Sequence, residues 1–133
     1  MKQLVVKIFG KILHKIYLVF ILYMNTYISK RIGKCGENAI VNYPFNIIGL
    51  NNIYLDDGVN IGPGATIYTK LANIYIGKKT FSGPNLTMIS GDHPYIQGKY
   101  MMDISKDELS KIINVSKYDK DIIIEQEIGR AHV

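Results

Sequence analysis

Between Ile89 and Tyr95 the chain reads ISGDHPY, and His93 in that stretch is one of three histidines. An imidazole titrates near neutrality, so His93 suits the work of a general base on a hydroxyl. Asp92 beside it could orient the ring, although an aspartate next to glycine also serves local turn geometry. Cys35 is the single cysteine. It could act as a nucleophile, but its neighbours are Lys34 and Gly36 and no histidine lies near it in sequence, which favours a structural thiol. His14 falls inside an apolar segment and reads as a packing or interfacial residue.

The elements that must position His93 are short and repetitive. The stretches LDDGVN, IGPGAT and IYTKLA begin at Leu55, Ile61 and Ile67, and IGKKTF, SGPNLT and MISGDH begin at Ile76, Ser82 and Met88. The phrases at Leu55, Ile61 and Ile76 share an aliphatic residue, a Gly or Asp, two free positions and then Val59, Ala65 or Thr80; the other three are looser. Each phrase reads as a short strand with its leading aliphatic residue turned inward, followed by a tight corner. One phrase cannot bury its apolar face alone, so successive phrases must stack as parallel strands around a shared core. The step of six breaks between Ile67 and Ile76, where TKLAN reads as a longer corner. Residues 32–54 are ragged and read as an entry coil. Residues 90–120 are a polar excursion, in which Ser105 and Glu108 have the spacing of a capping box that starts a short helix. At DIIIE the strand texture returns, as if a new coil begins.

Ahead of the coils, residues 1–31 form the most apolar part of the chain. Lys7, Lys11 and Lys15 recur every four residues, which stacks them on one side of a helix and leaves Val5, Ile8, Ile12 and Ile16 elsewhere on its surface. Between Lys15 and Lys30 the uncharged run is short of the ~20 residues a transmembrane helix needs, and no cleavage site of a signal peptide follows it. Two readings stay open: a helix packed on the domain or on a partner subunit, or an interfacial helix on a membrane surface.

The whole chain has 133 residues and a net charge of +5, enough for one domain with a modest core. The basic residues crowd the first quarter, where Glu37 is the first acid. Such a start suits nucleic acid or a membrane. The aliphatic residues between the lysines favour the membrane, and no motif of a nucleic-acid-binding fold is present. A single cysteine excludes an internal disulfide framework and suits the cytoplasm, with the basic helix placing the chain free there or at the inner face of the membrane.

The hexads, GPNLTMISGDHPY, the excursion and DIIIE together resemble the hexapeptide-repeat acyltransferases, over about residues 32–125. The branch most similar is the maltose and galactoside O-acetyltransferase type, including enzymes that acetylate capsular and surface polysaccharides. The resemblance implies a left-handed parallel β-helix, against the usual crossover hand, assembled as a homotrimer with active sites between subunits. It implies acetyl-CoA as donor and a saccharide hydroxyl as acceptor, with no metal. His93 matches the family's catalytic histidine. Asn85 matches the asparagine of the Pro-Asn hexad, a substrate contact or simply a corner residue. Asp92 and Tyr95 fall where substrate contacts are expected, and Tyr95 and Tyr100 have rings that could stack on a sugar or pack the loop. Galactoside-type members often carry a further asparagine one coil earlier; here that position is Gly64.

The last seven residues, EIGRAHV, depart from the pattern. The codons GAG ATC GGA AGA GCA CAC GTC encode them and contain the start of a widely used sequencing adapter. Residues 127–133 are therefore expected to be adapter read-through, with the β-helix of residues 32–126 incomplete and His132 outside any site. The residues that bind CoA would lie mostly in missing coils, and the chain as written is expected to be an inactive or insoluble fragment with an open strand edge. The alternative function is a non-catalytic trimeric β-helix scaffold. A zinc lyase on the same coil would need about three histidines from adjacent coils, and only His93 lies in the coil region.

Overall fold

The computed structural model describes residues 1–91, 97–112 and 119–126. Among these residues nine strands follow one long helix: α1 (Lys2–Ser29), then β1 (Lys34–Cys35), β2 (Ile40–Val41), β3 (Phe45–Ile48), β4 (Ile53–Leu55), β5 (Asn60–Ile61), β6 (Ala65–Thr69), β7 (Ile74–Ile76), β8 (Thr87–Ser90) and β9 (Ile122–Ile124). A second helix, α2 (Lys106–Ile112), lies between β8 and β9. The fold is β-rich and parallel. One sheet has the order β1-β4-β7-β9, a second pairs β2 with β5, and a third has the order β3-β6-β8. The chain thus visits the three sheets in rotation and returns to each beside its previous strand.

Register explains the six-residue phrasing. Cys35 pairs with Leu55, Leu55 with Ile76, and Ile76 with Ile124. Val41 pairs with Ile61 in the second sheet, and Ile47, Ile67 and Met88 align in the third. These columns are the phrase leaders. Leu55, Ile61, Ile67 and Ile76 are buried, as are Val59 and Ala65, and they form the core with Val41, Ile53 and Ile74. Cys35 therefore occupies a core-column position, half-buried, with its thiol 3.6 Å from the Ala39 carbonyl. The looser phrase at Ser82 breaks the second column, and there the sheet shrinks to an isolated bridge between Asn60 and Phe81. Ser82 uses its hydroxyl instead, accepting a hydrogen bond from the Gly62 N–H at 3.1 Å.

The residues beyond a strict step of six gather at one corner. Between β3 and β4 they form a 3-10 turn at Leu50–Asn52, and between β6 and β7 they form the longer corner TKLAN, where Thr69 Oγ1 donates to the Ala72 carbonyl. Between β8 and β9 the same corner opens into the excursion that carries α2. The capping box expected there is present: Ser105 N donates to Glu108 Oε2 at 3.1 Å and Glu108 N donates to Ser105 Oγ at 3.2 Å.

Helix α1 meets the strands only through its last turns. Asn25 is buried and accepts a hydrogen bond from the Tyr43 N–H at 2.8 Å. Ile28 joins the core, and Phe20 meets the Tyr43 ring edge-on at 5.2 Å between centroids. Residues 1–20 are all exposed. Among the described residues no helix is long and apolar enough to cross a membrane.

Candidate functional site

Asp92, His93 and Tyr95 lie outside the described residues, as does the 127–133 segment with His132. The residues on either side of the histidine segment are placed. Strand β8 leads into it through Ser90 and Gly91, and the excursion returns at Asp119. These two ends touch: a Cβ built on Gly91 would lie 2.3 Å from Asp119 Oδ1. The half-buried Asp119 thus sets its carboxyl group against Gly91, at a sequence distance no local motif reveals.

Ser90 is the second residue that sequence reasoning missed. It pairs in register with Thr69, one coil earlier, and both are buried. Thr69 satisfies its hydroxyl on the turn that follows it. At Ser90 that turn is replaced by the excursion, and its buried hydroxyl has no hydrogen-bond partner among the described residues. Leaving a buried hydroxyl unpaired costs ~1–3 kcal/mol. The aliphatic-small phrasing of the hexads gives no hint of this site, because Ser90 reads as an ordinary small residue.

Asn85 occupies a corner. Its φ of 61° is left-handed, a conformation asparagine tolerates better than most residues. The corner is stacked on its predecessor. Asn85 N donates to the Pro63 carbonyl at 2.9 Å, and Gly64 N donates to the Pro44 carbonyl at 2.6 Å. Gly64 has a φ of 82°, and a Cβ there would fall 2.2 Å from Asn85 Oδ1. The asparagine amide therefore fills the space that any side chain at position 64 would need. One amide, from Asn85, thus occupies this corner. Beside it runs a shallow open cleft lined by Pro44, Phe45, Asn46, Gly64, Ala65 and Thr66.

The remaining sequence candidates are dispersed. Tyr100 is largely exposed at the start of a 3-10 turn, and His14 is exposed on α1. Charges cluster at a different corner from Asn85. There Lys34 pairs with Asp56 at 2.8 Å and Lys78 with Asp57 at 3.4 Å. The Glu37 backbone N–H, and then Lys78, hold the Asp57 carboxyl below its ordinary range. The hydrogen bond to Asp56 raises the Lys34 ammonium. Among the described residues no group of three His, Cys, Asp or Glu side chains is placed to hold a metal ion.

Comparison of the chain with family models, with curated proteins and with solved structures returns no match.

Proposed function

We propose that the chain belongs to an acetyl-CoA-dependent O-acetyltransferase that acylates a saccharide hydroxyl, with His93 as general base. The observation that carries the reading is the coil arithmetic. Phrase leaders six apart fall in successive sheets and those one full round apart align in columns across parallel strands, and among the described residues the only excursion opens at the histidine segment. On this reading the three sheets are the walls of a left-handed parallel β-helix. Three copies associate, and the acceptor and acetyl-CoA meet in the cleft between neighbours.

The chemistry needs no covalent enzyme intermediate. The imidazole of His93 takes the proton of the sugar hydroxyl as its oxygen attacks the thioester carbonyl. The tetrahedral oxyanion is stabilised by backbone N–H groups at the coil corners, and its collapse expels the CoA thiolate, which the imidazolium protonates. Asp92 or Asp119 orients the ring. Asn85 and Tyr95 contact the acceptor.

The other reading, a non-catalytic trimeric scaffold, draws on Asn85 having the geometry of a plain corner and on the shallowness of the cleft. One experiment separates the two. The protein is incubated with acetyl-CoA and a panel of saccharides, and acetylated sugar is sought by mass. The enzyme reading expects acetyl ester on at least one sugar, with a rate that rises with pH through the imidazole range. Absence of ester across the panel, from a folded trimer, favours the scaffold.

A further inference from the structure

We propose that α1 is a docking helix for an anionic lipid surface, lying in the plane of the interface. This inference is independent of the catalytic reading. Three observations carry it together. First, the helix is formed but uncovered: its first nineteen residues, Lys2–Phe20, are all exposed, including Ile8, Phe9, Ile12, Leu13 and Ile16. Second, its charge has one sign. Lys2, Lys7, Lys11 and Lys15 lie on the helix, Lys30 and Arg31 follow it, and no acid precedes Glu37. Third, three of the four helix lysines share one sector, while Lys2, at the helix end, falls on the opposite side. At about 100° per residue, Lys7, Lys11 and Lys15 span roughly 80° of the circumference. Val5, Phe9, Ile12 and Ile16 lie roughly opposite them.

The occupant that must be weighed against lipid is a second copy of α1. Val5, Phe9, Ile12, Ile16, Val19 and Tyr23 do follow the four-three spacing of a coiled-coil seam. The positions flanking that seam argue otherwise. They hold Ile8, Leu13, Phe20 and Leu22, where a coiled coil uses paired opposite charges, and Lys15 among them has no acid on the helix to meet. A seam would also leave Tyr17 in water. A lipid interface accepts this wide apolar arc, and its anionic headgroups complement the lysines. The helix does not cross the bilayer. Its uncharged run, from Ile16 to Ser29, covers only about 21 Å at 1.5 Å per residue against the ~30 Å hydrocarbon core.

The test is flotation of the protein with vesicles of phosphatidylcholine alone and of phosphatidylcholine mixed with phosphatidylglycerol. The expected result is flotation with the mixed vesicles, weakened by salt. Replacing Lys7, Lys11 and Lys15 together by Gln should lower the partition coefficient about a hundredfold, since each lysine near an anionic surface is worth about fivefold. All three are exposed, so the variant keeps its fold. A second variant, Ile12→Asp with Ile16→Asp, should abolish flotation without changing the sedimentation coefficient in the absence of lipid. The inference is overturned by absence of flotation with the mixed vesicles. It is equally overturned by equal binding to both vesicle types that the lysine variant leaves unchanged. It is also overturned if sedimentation shows copies that the Ile12, Ile16 variant separates, because the face is then covered by a second copy.

Discussion

Adding a methyl group at Gly64 and at Gly49 should have very different consequences, although the two glycines share a φ of 82°. Any L-residue pays a conformational penalty of ~1–2 kcal/mol in that region. At Gly64 the new Cβ would meet Asn85 Oδ1 at 2.2 Å, with the Asn85 backbone nitrogen no closer than 3.4 Å. The obstacle is the end of an exposed side chain, which can rotate away. Gly64→Ala is therefore expected to cost about 1–2 kcal/mol plus a few tenths for displacing the amide. At Gly49 the Cβ would lie 1.7 Å from the Thr69 carbonyl oxygen and 2.7 Å from its carbon. That obstacle is backbone at the end of β6, so the coils themselves must separate, and a loss of ~4 kcal/mol or more is expected, the range reserved for severe backbone or core disruption. Asn85→Gly should rescue the side-chain part of the Gly64→Ala loss and none of the Gly49→Ala loss. The assay is urea unfolding followed by far-ultraviolet circular dichroism, with stabilities compared by linear extrapolation. Equal losses at the two glycines, or identical rescue by Asn85→Gly, would refute the stacked-corner geometry.

Three further outcomes follow from the packing and the charges. Asn25→Ala removes the acceptor for the Tyr43 N–H and should cost about 1–3 kcal/mol; hydrogen exchange at the Tyr43 amide should accelerate with it. Ile67→Ala, at a fully buried position in the middle strand of its sheet, should cost ~2–5 kcal/mol, whereas Ile89→Ala on the outer face of β8 should stay within ~0.5 kcal/mol; thermal unfolding of the two variants checks the contrast. Glu108 is held at a pKa of about 2 by its hydrogen bonds to Lys99 and then to the Ser105 N–H and hydroxyl. A folded pKa below the unfolded one stabilises the start of α2 above the ordinary carboxylate range, and that contribution is lost as pH falls toward 2. An NMR titration of the Ser105 amide should show the transition in the wild type and lose it in Glu108→Gln.

The inward-facing aliphatic columns were legible because their signal is local. An aliphatic residue every six positions, followed by a small residue at the bend, predicts inward-facing leaders, and Leu55, Ile61, Ile67 and Ile76 are all buried. The capping box was legible for the same reason, since Ser105 and Glu108 are three residues apart. The ragged entry coil concealed its own leaders. Cys35 and Ile47 stand in the same columns as Leu55 and Ile67, but they lie in the first strands of their sheets, so full burial is not demanded of them. At the site, legibility failed where the contact is long-range. Asp119 meets Gly91 only because the excursion closes on itself, and the unpaired hydroxyl of Ser90 is visible only against Thr69 one coil below. The periodicity of α1 likewise gives its faces but not what covers them, since helical spacing is the same whether the partner is protein or lipid.

The central claim rests on a single imidazole, and the most direct test is thiol release from acetyl-CoA by the protein, with and without saccharide, in the wild type and in His93→Ala. The account predicts release that depends on saccharide in the wild type. It predicts a rate lower by about 10²–10⁴-fold in His93→Ala, the range a general base contributes, with an unchanged circular dichroism spectrum. Saccharide-dependent release that persists at the wild-type rate in a folded His93→Ala variant would contradict it.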